Sequence, residues 1–271
     1  MTEHPILVLA RRYPQLSLPI KAGERETEEY KSAVLQGRKI ENRPAFLYNE
    51  NDRLECIDTP AGIAEILSLT EREDFVHAMR ALAYRCEPVE IPESNGATAI
   101  SGLINWEKLR PHLATDFDEF ISDKSNYLDK LIILSSGYYS ALKPEDAGIP
   151  ADEWKEKSIE IRKYHELTHF ISGKLYPENK EAIRDEVTAD SIGVIAAFGN
   201  MNAELVKKFL GTEGEAYREG GRLQNYCENP AEQMPFVNAY IEQLEAEYKN
   251  FKGETQFDFL KYIEEEKIGM K

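Results

Sequence analysis

Two histidines and a glutamate stand together in the run His165-Glu166-Leu167-Thr168-His169. On a helix, histidines four residues apart leave the same face and reach a common point. Imidazole nitrogens that converge in this way suit zinc, and a glutamate next to the first histidine can take a proton from a metal-bound water. The chain has only five histidines in 271 residues, so finding two of them in this pattern is informative. The other three, His4, His77 and His112, have no ligand-like neighbours and read as structural.

A catalytic zinc site needs a third protein ligand and leaves a fourth position open. After His169 the chain passes Gly173 and a break at Pro177, then resumes a helical pattern over 178–199 that carries Asp185, Glu186 and Asp190. At about 100° per residue, Glu186 and Asp190 lie about 40° apart, on the side of Ile183, Gly193, Val194 and Ala197, and Asp185 points about 100° away. A carboxylate on an apolar face is costly unless it is paired or binds a metal. Glu186 is therefore the expected third ligand in preference to Asp185. Asp190, one turn on, is placed to hold the far nitrogen of a ligand histidine.

The stretch HELTH followed by EAIRDEVTADSIG resembles the gluzincin metallopeptidases, in particular the thermolysin-type pattern, over about 152–199. The resemblance implies Zn2+ held by His165, His169 and Glu186, with Glu166 as general base and Asp190 supporting a histidine. Sixteen residues separate His169 from Glu186, which implies a trimmed connection between the two helices. It also implies an edge strand upstream that pairs with the substrate backbone, and Gly137, Tyr138 and Tyr139 fall about there. The chain departs from the pattern in one respect: no histidine follows His169 to stabilise an oxyanion. A tetrahedral intermediate still needs a donor. Other gluzincins use a tyrosine, and the segment 217–226 offers Tyr217, Arg222 and Tyr226 as candidates.

These residues have to be positioned by an α+β chain. Ile6 to Ala10 reads as a strand, and Glu24 to Gln36 as a charged helix. Phe46–Tyr48 and Leu54–Ile57 read as a hairpin around Asn49 to Arg53. Thr70 and Glu73 form a capping box for a helix to about Cys86. The apolar run within 130–142 reads as a strand, and Pro150, Asp152 and Glu153 open the HExxH helix. Tyr164, Leu167, Phe170 and Ile171 lie mostly opposite the two histidines, so one face should pack and the other meet the metal. Apolar spacing in 203–210, 236–248 and 257–263 predicts a small C-terminal bundle. The expected organisation is a mixed region over 1–114, a zincin-like core over 115–199 and a helical part over 200–271.

Composition narrows the function. A net charge of −16 argues against nucleic acid, whose binding needs phosphates neutralised. No run of eighteen apolar residues suggests a membrane span, and the first residues lack the pattern of a secretory signal. Three scattered cysteines, Cys56, Cys86 and Cys227, fit a cytoplasmic protein without a disulfide framework. The expectation is a zinc-dependent hydrolase that cleaves amide bonds in a peptide or protein substrate. Two alternatives are a regulatory protease of the ImmA/IrrE type and a catalytically degenerate peptidase fold kept as a binding module. The sequence does not specify an oligomeric state.

Overall fold

The computed structural model describes residues 3–93 and 95–269. The fold is α+β: a four-stranded sheet and a larger set of helices. The chain divides into two compact units, Met1–Ile57 with Ala64–Ser136, and Asp58–Ile63 with Gly137–Lys271.

The first unit opens with helix α1 (Pro5–Arg12), where a strand was expected. Pro5 stands at the first helical turn, His4 Nδ1 accepts from Ile6 N at 3.3 Å, and Ile6, Leu9 and Tyr13 are fully buried. The short apolar run therefore belongs to a period of three to four residues rather than two. The segment expected as one charged helix is broken into short pieces, Glu24–Glu26, Glu28–Tyr30 and Lys31–Leu35. The hairpin lies further along than expected. Strands β1 (Arg53–Thr59) and β2 (Gly62–Leu69) are joined by the turn at Pro60 and Ala61, while Phe46–Tyr48 form no strand. Helix α2 (Arg72–Leu82) begins after Glu71 without a side-chain cap, so the capping box at Thr70 does not form.

Strands β3 (Ala97–Ile104) and β4 (Leu128–Ser135) complete the sheet in the order β1-β2-β4-β3. β4 runs parallel to β2 and antiparallel to β3, so both of its edges are hydrogen-bonded. This corrects the expected substrate-pairing edge strand. Leu131–Leu134 are all buried, and a continuous apolar run of this kind marks an interior strand. The strand stops at Ser135, and Gly137–Tyr139 lie beyond it. Because β4 belongs to the sheet, the first unit extends to Ser136, past the boundary expected at 114.

The second unit is dominated by α3 (Ala151–Leu175) and α4 (Ala182–Phe198), with a one-turn connection at Pro177–Asn179. Acidic Asp152 and Glu153 in the first turn of α3 and Lys174 in its last turn complement the helix dipole. Leu167 and Ile171 are buried, as the face analysis requires. The two helices approach so closely that a Cβ on Gly193 would stand 2.6 Å from Ile161 O. After them come α5 (Ala203–Leu210), α6 (Pro230–Asn250) and α7 (Gln256–Glu265). These pack on α4, so the C-terminal helices belong with the HExxH helix in one unit rather than forming a part from 200 onward. Helix is not continuous here: 211–229 is mostly loop, with a single turn at Arg222–Asn225. Among the described residues no helix is long and apolar enough to cross a membrane.

Candidate metal centre

Helices α3 and α4 run antiparallel, so His165 and His169 face Asp190 and Glu186 across the seam. His165 Nε2 and His169 Nε2 are 3.1 Å apart. Glu186 Oε2 lies 3.5 Å from His165 Nε2, and Glu186 Oε1 lies 3.4 Å from His169 Nε2. Zinc with bonds of about 2.0–2.1 Å in tetrahedral geometry spaces neighbouring ligand atoms about 3.3–3.4 Å apart. The three side chains thus already outline one face of such a tetrahedron. Among the described residues this is the one grouping of three or more His, Cys, Asp or Glu side chains arranged to hold a metal ion.

The tautomer of His165 supports the same fit. Its Nδ1 is 2.9 Å from Asp190 Oδ1, an oxygen that also accepts from Tyr139 Oη at 2.5 Å and Arg222 Nη2 at 3.2 Å. A carboxylate with these donors keeps the imidazole proton on Nδ1 and leaves the Nε2 lone pair directed at the common point. Asp190 is fully buried, and burial would raise its pKa. The Arg222 charge and the hydrogen bonds from His165 and Tyr139 more than offset that and hold it ionised.

Charge is concentrated around the triad. Burial pushes Glu186 up, yet the His169 hydrogen bond and the charges of His165, His169 and Arg222 bring it down to about 2. Burial lowers the pKa of His169, but Glu186, Glu166 and Asp185 together raise it. Glu166 is half-buried, and no side-chain hydrogen bond or ion pair among the described residues engages its carboxylate. Asp185 is not a member of the triad and lies 3.6 Å from Arg184 Nη1.

Of the three oxyanion candidates, the structure brings two to the centre. Arg222 Nη2 is 3.3 Å from Glu186 Oε2, and both Nη2 and Nε donate to Tyr226 Oη, at 3.2 and 3.3 Å. Tyr226 therefore accepts from the guanidinium and keeps its own proton to donate elsewhere. Burial raises its pKa further than the Arg222 charge lowers it, so the phenol stays protonated at neutral pH. Tyr217 is not brought in, because its hydroxyl donates to Gly221 O at 2.5 Å and lines no part of the centre. A cavity of about 290 Å³ opens beside the triad, lined by His169, Glu186 and Tyr226 together with Tyr176, Asn179 and Asp185.

Sequence reasoning missed Tyr139, which it placed on a substrate-binding strand. Tyr139 instead reaches Asp190 and His165 across a gap of 51 and 26 residues. A local motif carries no signal for such a contact. A tyrosine just past a strand end, ahead of the HExxH helix, was the only hint.

The chain belongs to the DUF7005 family, described as a family of unknown function, whose model matches residues 2–258. Neither a curated protein nor a solved structure matches it.

Proposed function

We propose that the chain is a zinc-dependent hydrolase of gluzincin type that cleaves amide bonds in peptide or protein substrates. The observation that carries this reading is the triangle of ligand atoms 3.1–3.5 Å apart, with Asp190 behind one of its histidines. His165, His169 and Glu186 would hold the ion. Lewis acidity toward water and the scissile carbonyl is what zinc supplies when bound. Glu166 takes a proton from the attacking water and returns it to the leaving amine. Tyr226 donates a hydrogen bond from its hydroxyl to the developing oxyanion, the role left without a histidine in this chain. Arg222 orients Tyr226 and balances the charge of Glu186 and Asp190.

Three protein ligands would leave one position of a tetrahedral ion open, which favours an enzyme over a binding module. Cysteines kept out of disulfides at Cys56, Cys86 and Cys227 fit a cytoplasmic protein.

Metal content by mass spectrometry tests the centre. About one zinc per chain is expected, and it should be lost in Glu186→Ala. Absence of metal from zinc-replete wild type would sink the proposal. Glu166→Gln should keep zinc and lose turnover of a fluorogenic peptide library. Tyr226→Phe should keep zinc and lower kcat by about 10²–10³, the usual effect of deleting one oxyanion donor. Tyr217→Phe should turn over like wild type.

A further inference from the structure

Building on the metal-centre reading, we propose that Tyr139 is a positioning residue: a strained turn presents its hydroxyl to Asp190 and so fixes the aim of His165. The geometry is specific. Tyr139 Oη lies 2.5 Å from Asp190 Oδ1 and 2.9 Å from His165 Nδ1, so one hydroxyl touches both members of the supporting pair. All three side chains are buried. Water therefore cannot readily take over the bond, and its loss would leave Asp190 with fewer donors in a dry site.

The backbone that carries Tyr139 is costly to hold. Ser140 and Ala141 both have left-handed conformations, with φ of 54° and 53°. Neither is glycine, and such residues are costly to hold and persist where surrounding structure over-determines them. Here it does. Tyr139 N donates to Ser158 Oγ at 2.9 Å, and Ser140 Oγ donates to Phe209 O at 2.8 Å. Arg162 Nη2 donates to Gly137 O at 2.9 Å, and Trp154 Nε1 donates to Leu142 O at 2.7 Å. The ring packs edge-on against Phe209 with centroids 4.9 Å apart. Helices α3 and α5 thus clamp both sides of a strained turn whose one polar side chain at the metal centre is the Tyr139 phenol. A tyrosine kept only to fill space would need the ring and Phe209, without a hydroxyl directed at the carboxylate that orients a ligand.

The test compares wild type with Tyr139→Phe for zinc affinity, by competition with a chromophoric chelator, and for the visible spectrum of the cobalt-substituted protein. Zinc affinity should fall about 10–100-fold, the usual range for losing a group that orients a ligand. The cobalt bands should shift, because His165 no longer holds one orientation. In an Asp190→Asn background the same change should cost less than about twofold, since the effect runs through Asp190. Should the Phe variant not fold, Ser140→Ala carries the test by untying the turn from Phe209 O, with weaker zinc binding expected. Unchanged affinity and an unchanged cobalt spectrum in a folded Tyr139→Phe, or unchanged affinity in Ser140→Ala, would overturn the positioning role. Wild type that binds no zinc would overturn the metal-centre reading beneath it.

Discussion

At the scale of residues, the centre is a problem in charge placement. Glu166, Glu186 and Asp190 would repel one another, and Arg222 with the two histidines offsets them. This has a consequence for the metal-free protein. Glu186 has a folded pKa of about 2, below its ordinary value of 4.5. A carboxylate depressed in this way adds stability that is fully present above its unfolded pKa and is lost as pH falls through the folded one. Denaturant unfolding of metal-free wild type and Glu186→Gln should differ most above about pH 4.5 and converge toward pH 2. A gap that widened on acidification would contradict the pairing. His165, Glu166 and His169 were legible because their spacing is local, and Glu186 and Asp190 because they share a helix face. Tyr139 was not, since nothing in its neighbourhood tells a tyrosine aimed at Asp190 from one aimed at the core.

At the scale of elements, the centre depends on how closely α3 and α4 approach. Gly193 sets that distance, because an added methyl would meet the Ile161 carbonyl, a backbone atom that cannot swing aside. Gly193→Ala should therefore cost about 1–3 kcal/mol in denaturant melts, the usual range for overpacking. It should also weaken zinc binding by prising His165 and Glu186 apart. Full stability and full affinity would show that the seam has slack. Both helices were readable from their period, and the break between them from Pro177. The sheet was less so. Ile6–Ala10 is too short for its period to be read without the cap that makes it helical. The strand at 128–135 was found, but its place between β2 and β3 depends on partners more than 20 residues away in sequence, and no strand encodes that in its own letters.

At the scale of the whole molecule, every residue of the proposed centre lies in the second unit. Hydrogen exchange read by mass spectrometry should show zinc protecting amides of α3, α4 and 222–226, with the first unit's sheet unchanged. Ligand linkage puts the added stability near 2.7 kcal/mol at a free zinc concentration of about 100 times Kd. Uniform protection across both units would mean the ion acts on more than its own helices. The division into units was not foreseen, because β4 pairs backward with β2, and α5 to α7 return to α4.

The buried Glu264 of α7 ties this unit together. It accepts from Ser172 Oγ at 3.1 Å, Asn179 Nδ2 at 2.9 Å and Arg184 Nη2 at 3.0 Å. It thereby joins the end of α3, the connection and the start of α4 with a single carboxylate. In order of synthesis this clasp comes last. Glu186, the last of the three proposed ligands, is made 78 residues before Glu264, so a nascent chain can present all three to zinc before the helix that locks their spacing exists. Tight metal capture should accordingly await the emergence of α7, and chains stalled before α7 should exchange zinc faster than chains that include it.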